Sequence, residues 1–286
     1  MMKRLFLIMA AALLFRPALP AAEPDITDIR TTAADSLIYC RIMQTLMPVD
    51  SLTSGGPMVK AALEFLGTPY AAGTLETIPE RLTVNLRETD CILFVETCTA
   101  MTVLIKNSSD TIPSFRDFCE TIRRLRYRDG KTDGYASRLH YTSEWLQQAE
   151  DKGILKEITH EYGMPLRQKF SFMSSHSGLY PQLKNNPGTT AMIRAVEERL
   201  DTAAAYYQIP ADDIPAMEQN IKDGDIICFT SRTEGLDITH VAIAYRNKDG
   251  ALHFIHASSK AGKVIIEPST LSGYCRTGIR IARLNE

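Results

Sequence analysis

The sequence predicts an α+β fold, and three observations carry that expectation. Apolar residues recur at helical spacing through most of the chain up to about residue 220. After Asp223-Gly224-Asp225 the pattern changes to short β-branched and aromatic runs separated by turn residues. No Pro/Gly/Ser-rich linker divides the two regions, so both are expected to share one core. The 286 residues are 44% hydrophobic and 23% charged, which excludes a disordered chain, a collagen-like repeat and a small disulfide knot. With 32 Lys+Arg against 34 Asp+Glu, the formal net charge is −2, and a surface built for nucleic-acid backbones is not expected.

Lys3 and Arg4 precede an apolar run from Leu5 to Phe15, and small residues follow from Pro17 to Ala22. The run is shorter than the ~20 residues that a spanning helix requires. Its order is that of a secretory signal peptide over residues 1–22, cleaved near Ala21 or Ala22. The mature chain, 23–286, is therefore expected to be exported, periplasmic or secreted, with no stable membrane insertion. Six cysteines are present: Cys40, Cys91, Cys98, Cys119, Cys228 and Cys275. Their scattered spacing neither demands nor excludes bridges, and no zinc-type spacing or other metal-ligand motif occurs. No cofactor is expected.

The segment Asp25 to Met47 places Ile26, Ile29, Ala33, Leu37 and Cys40 at helical spacing. A loop, Thr53 to Pro57, leads to a second helix, Met58 to Leu66, which Gly67-Thr68-Pro69-Tyr70 ends. Residues 71–90 are turn-rich, with a short strand expected at Leu82 to Leu86. From Cys91 onward, Cys91, Phe94, Val95, Cys98, Met101, Thr102 and Ile105 share one helical face, with Asp90 or Thr89 as the cap. Residues 111–220 read as mainly helical and irregular, with Phe115 to Arg126 and Ala191 to Tyr207 as the clearest helices. Arg123, Arg124, Arg126 and Arg128 read as a solvated helix face. Strands are expected at Ile226 to Thr230, His240 to Tyr245, Leu252 to Ser258, Val264 to Glu267 and Gly278 to Leu284, as an antiparallel meander.

One thiol is placed for chemistry. A cysteine near pKa 8.5 is mostly protonated at neutral pH, and a helix N-terminus or a neighbouring imidazole lowers that value. Cys91 opens a long helix, so its thiol is expected to ionise. Among the histidines, His140 and His160 lie in the helical region without supporting pattern, and His176 lies in the loop Phe172 to His176, where it could touch a ligand. A Lys248-Asp249-Gly250 turn pairs Asn247 with Ala251 and so sets His256 opposite Ala242, on the same sheet face as His240. His253 then points to the other face, and a loop one residue longer would reverse this parity. Cys91, His240 and His256 have the chemistry of nucleophile, base and orienter. Each residue alone has a plainer reading, a small buried hydrophobe or a core histidine.

Several motifs carry a resemblance. Leu66 to Tyr70, Thr89-Asp90-Cys91 opening a helix, Gly224-Asp225-Ile226-Ile227, Thr239 to Ile243 and Phe254 to Ser258 resemble the NlpC/P60 papain-like cell-wall hydrolases. Gly73 to Glu76, Val84 to Arg87, Tyr162 to Pro165 and Phe172 to His176 resemble the DUF1460 branch, N-acetylmuramoyl-L-alanine amidases, through nearly all the mature chain. The resemblance implies a papain-like core, a catalytic helix packed on an antiparallel sheet or barrel, with a large helical insertion at about 108–220. It implies Cys91 as nucleophile, His240 as general base and His256 as the residue orienting the imidazole. It implies Tyr70 near the oxyanion and Asp90 in stem-peptide recognition, although a core aromatic and a helix cap explain these two equally well. The insertion would wall a cleft, with Ser174 and His176 facing the ligand. The substrate would be a peptidoglycan fragment cut between N-acetylmuramic acid and L-alanine. The alternatives are a γ-D-glutamyl-diamino-acid endopeptidase and a wall-binding protein without turnover.

Overall fold

A computed structural model describes residues 28–47, 56–108, 111–202 and 205–285. The leader, its cleavage site and the start expected for the first helix lie outside the described residues. The first helix described, α1 (Ala33–Leu46), begins where Asp35 accepts from the backbone N–H and the hydroxyl of Thr32. The same buried carboxylate accepts from the Leu86 N–H at 2.8 Å, tying α1 to the segment after α2 (Gly56–Glu64). Those hydrogen bonds hold its pKa below the ordinary aspartate value, although burial acts the other way. Residues 82–86, expected as a strand, are instead held by a single parallel bridge, Arg30 to Thr83.

The central helix, α3 (Cys91–Lys106), is buried nearly all round: Leu93, Phe94, Val95, Thr97, Cys98, Thr99, Ala100, Met101 and Thr102 are all inside. A helix apolar on every side belongs in a core rather than on a surface, and one expected face was too narrow a reading. On one side α3 packs against the sheet; on others it meets α2 and α4 (Phe115–Arg126). Burying each Leu or Phe on it contributes roughly 1.5–3 kcal/mol.

Of the four arginines expected as a solvated face, Arg124 is exposed and the others turn toward carboxylates. Arg126 is buried, its Nε donating to Glu96 of α3 at 2.9 Å and its Nη1 to the Thr83 carbonyl at 2.5 Å. Arg123 reaches Asp28 and Glu120, while Arg128 reaches the buried Glu144 on α5 (Thr142–Asp151). Each buried carboxylate drew in a guanidinium, because an isolated charge in the core costs more than a paired one.

The region between α3 and the later strands is less helical than expected. It contributes three short strands, β1 (Leu155–Glu157), β2 (Met164–Leu166) and β3 (Tyr206–Pro210), beside α6 (Phe172–Ser175) and α7 (Pro187–Thr202). The helix expected from Ala191 to Tyr207 is thus α7, starting earlier and ending at Thr202, with Tyr206 and Tyr207 in β3. After the short α8 (Ile214–Met217) come β4 (Ile226–Thr230), β5 (Ile238–Arg246), β6 (Leu252–Ser258), β7 (Lys263–Ile266), α9 (Leu271–Tyr274) and β8 (Gly278–Leu284). The sheet order is β2-β3-β8-β4-β5-β6-β7, with β1 also on β8. Strands β4 to β7 form the expected meander, whereas β8 returns to pair with β4 on its other side. All named pairings are antiparallel.

The β5–β6 register agrees with the sequence reading. Ile243 faces Ile255 and Tyr245 faces His253, and the Asn247 N–H donates to the Ala251 carbonyl across a turn whose Gly250 has φ +80°. Odd-numbered side chains, Val241, Ile243, Ile255 and Ala257, pack with α3. Even-numbered ones, Ala242, Ala244, Leu252 and Phe254, pack in a second core with Phe229, Leu271 and Cys275. Among the described residues no helix is long and apolar enough to cross a membrane.

Candidate active site

The approach to Cys91 is built by local backbone pairing. The Thr89 N–H donates to the Pro69 carbonyl and the Ala71 N–H to the Thr89 carbonyl, so Tyr70 runs beside Thr89, two residues before the helix. Asp90 then caps α3, its Oδ1 accepting from the Leu93 N–H at 3.0 Å, and Cys91 becomes the first helical residue. The thiol meets β5 as well, because the Val241 N–H donates to its sulfur. Ala244 exchanges its backbone hydrogen bonds with Gly224 and Asp225 on the β4 side. Alternation therefore aims the Val241 N–H toward β6. There the β5–β6 ladder ends at Ile243 and Ile255, so Cys91 occupies the mouth where the two strands part.

The resting thiol is not the anion expected from the sequence. Burial pushes its pKa up to about 11, and the charge of Asp90 adds to the rise. The N–H groups of Val241, Ile92 and Cys91 act in the opposite direction but lose to desolvation. Asp90→Asn keeps a capping side chain and removes that charge, so alkylation of Cys91 by iodoacetamide at neutral pH should quicken. Asp90→Ala instead loses the cap, at about 1 kcal/mol. An unchanged alkylation rate in Asp90→Asn, followed on the Cys91 peptide by mass spectrometry, would show that the sulfur does not sense this carboxylate. The peptide must be resolved because all six cysteines are free and Cys40 is exposed.

His240, one residue before Val241 on β5, carries its ring to the even-numbered side. Its Nε2 lies 2.7 Å from Nδ1 of His256, and the rings cross at 83°. Phe229, Phe254 and Tyr274 surround the pair. Burial, with His256 adding, pushes His240 down to about 3, so the imidazole rests neutral. Burial also lowers His256, against the opposing pull of Glu267. Tyr274 links the two sides of the mouth: burial raises its phenol, and the charges of Glu267 and Cys91 raise it further. Tyr274 thus packs against His256 and is within electrostatic reach of both Glu267 and the Cys91 sulfur. His253 points to the other face, as expected, with Nδ1 on the carbonyls of Glu267 and Ser269.

The remaining residues expected at the site divide. Tyr70 is half-buried beside Cys91 and Asp90; burial raises its phenol first and those two charges add. Ser174 and His176 are not brought to the thiol. The Ser174 N–H donates to Glu197, while His176 is exposed and stacks on Phe172. From that turn it is Met173 that lines a cleft of about 230 Å³ running from Asp90, Ile92 and Leu93 to Tyr135, Arg138 and Tyr180. His140 lines it too, pushed down to about 3 mainly by burial, with Nε2 on the Tyr135 carbonyl. Sequence reading missed Glu267, Tyr274 and the cleft residues Tyr135, Arg138 and Tyr180; Asp90, the Phe172 to His176 loop and the length of the inserted segment were its pointers to the cleft. Among the described residues no group of three or more His, Cys, Asp or Glu is set to hold a metal ion.

No match is found among curated proteins. A crystal structure of an N-acetylmuramoyl-L-alanine amidase from Bacteroides uniformis superposes with a TM-score of 0.75 at 36% identity, over 82% of this chain and 99% of that one. A Bacteroides fragilis protein described as a candidate xylanase is 41% identical, with a TM-score of 0.73 over 78% of this chain and 99% of its own. A Legionella pneumophila protein of the DUF1460 family shares the fold at 19% identity and a TM-score of 0.61, over 90% and 97% of the two chains. The model of the AmiA-like family, described as N-acetylmuramoyl-L-alanine amidase-like, matches residues 60–280. On that match, and on its likeness to an amidase along almost the whole of that protein's length, the chain belongs to the N-acetylmuramoyl-L-alanine amidase-like family.

Proposed function

We propose that the protein is an exported cysteine amidase that cuts the bond between N-acetylmuramic acid and L-alanine in muropeptides. On this reading the core is papain-like, residues 23–286 form one catalytic domain, and residues 108–220 are an insertion that walls the substrate cleft. The observation that carries the proposal is a helix-initial thiol that accepts from the Val241 N–H, the residue after His240, whose ring is hydrogen-bonded to a second histidine.

Because thiol and imidazole both rest neutral, the first step is general-base catalysis rather than attack by a standing thiolate. The Cys91 sulfur bonds to the lactyl carbonyl carbon while its proton passes to His240. The carbonyl oxygen becomes an oxyanion, for which backbone N–H groups at the start of α3 and the Tyr70 phenol are the available donors. His240 returns the proton to the nitrogen of L-alanine as the C–N bond breaks and the peptide leaves. Water, deprotonated by His240, then attacks the thioester, releasing the muramic carboxylate and restoring the thiol. His256 orients the base through the Nε2–Nδ1 hydrogen bond.

A glycosidase reading, suggested by the Bacteroides fragilis relative, would need two carboxyl groups free to work on a glycosidic oxygen. In the cleft Glu96 is committed to Arg126 and Glu76 to Arg138, and Asp90 caps α3. The test is mass spectrometry of products from a defined muropeptide. Sugar free of peptide is the expected product. Sugar carrying L-alanyl-D-glutamate would reveal the γ-D-glutamyl-diamino-acid endopeptidase, and binding without any product would reveal a wall-binding protein.

A further inference from the structure

The histidine pair poses a problem of proton placement. A single proton serves the 2.7 Å contact between His240 Nε2 and His256 Nδ1, and either ring could supply it. If His256 donated, its Nε2 would be a bare lone pair, and His240 Nδ1 would carry the proton and could not act as a base. The neighbour of His256 Nε2 decides between these arrangements. That nitrogen is buried, has no well-angled hydrogen-bond partner, and lies 3.4 Å from Oε2 of Glu267. A lone pair facing a carboxylate there would be repelled, whereas an N–H facing it is attracted.

Glu267 is also held in place on every side. Its N–H donates to the Phe254 carbonyl at 2.9 Å, and its own carbonyl receives His253 Nδ1 at 3.0 Å. Its Oε1 accepts from the Ser269 N–H at 3.2 Å, which turns Oε2 toward His256. This is the preorganisation expected of a group with a fixed electrostatic task.

We propose that Glu267 is a positioning residue that fixes the tautomers of both histidines, so that His256 keeps its proton on Nε2, His240 donates from Nε2, and His240 Nδ1 is left as the basic nitrogen. The inference rests on the proposed role of His240. As the thiol proton arrives at Nδ1, the resulting imidazolium is stabilised through His256 by the carboxylate. The proton stays on His240 and no atom of Glu267 bonds to substrate. The other titratable group facing the dyad is Tyr274 of α9, whose phenol also senses Cys91 of α3.

The test compares the wild type with Glu267→Gln, which keeps shape and an acceptor, and Glu267→Ala, which keeps neither. With the muropeptide as substrate, kcat should fall about 10-fold in the first and about 100-fold in the second, with KM within about twofold. The acid limb of kcat/KM should move to lower pH in both, because losing the carboxylate lowers the proton affinity of the dyad. Added to His256→Gln, Glu267→Gln should cost nothing further, since its effect passes through His256. Wild-type kcat in both variants, or a loss that multiplies with that of His256→Gln and leaves the limb in place, would overturn the proposal. Alkylation of Cys91 by iodoacetamide at neutral pH reads the same chemistry without substrate and should slow in both variants. Equal alkylation rates would overturn it even if the wild type cleaves no muropeptide, an outcome that would instead refute the proposed function.

Discussion

Cys91→Ala should fold as the wild type does and lose hydrolysis by about 10⁴-fold or more in kcat. The residue is partly accessible at the first turn of α3, and Asp90 rather than Cys91 caps that turn, so a methyl group in place of the thiol removes little packing. The chemistry is different, because none of the four buried cysteines can take over. Cys98, Cys119, Cys228 and Cys275 are buried, and burial raises each of their thiols. Circular dichroism should show an unchanged melting transition while the release of peptide-free sugar disappears. A folded Cys91→Ala retaining more than a tenth of wild-type activity would remove the nucleophile from the account.

The second large effect falls on stability. Arg126→Ala leaves Glu96 buried on α3 without its guanidinium, and breaking a buried pair from one side costs about 3–5 kcal/mol. The Thr83 carbonyl loses its donor as well, which loosens the segment leading to Asp90. The denaturant midpoint should drop sharply, and soluble yield with it. The double replacement Glu96→Leu with Arg126→Met, apolar on both sides, should recover most of the loss. If Arg126→Ala melts within about 0.5 kcal/mol of wild type, the side chain is solvated after all and its place in the core is wrong.

That arginine shows where sequence reading stops. Four arginines within six positions on a helix look like a wet face. The partner that draws one of them inward, Glu96, lies thirty residues earlier on a helix whose apolar stripe hid it. The short strands β1, β2 and β3 were missed for a related reason: segments of three to five residues carry too little alternation to register, and pairing with β8 or with one another makes them strands. The last strands were legible because turn chemistry sets register locally. Gly250 at positive φ fixed the β5–β6 pairing, and with it the face shared by His240 and His256. The start of α3 was legible too, since an aspartate before a long apolar helix is a local signal.

Other features of the site depend on the folded environment. Helix position argues for an ionised Cys91, yet the protein packed around the sulfur reverses the sign, a cost that only the assembled core reveals. Glu267 was invisible as a functional group because its alignment with His256 depends on how β7 runs into the Pro268 turn and on the hold of His253. The segment of Ser174 and His176 resembles a known family, and its short helical turn presents Met173 to the cleft, while the Ser174 N–H is taken up by Glu197.

The most direct measurement is a search for the acyl-enzyme. The protein is mixed with a defined muropeptide, quenched in acid within the first turnovers, digested, and the peptide bearing residue 91 is weighed. A mass increase equal to the muramyl acyl group on Cys91, absent from Cys91→Ala, is the predicted result. An adduct that also contains L-alanine and D-glutamate, or sugar released free of peptide while Cys91 stays unmodified and dispensable, would contradict it.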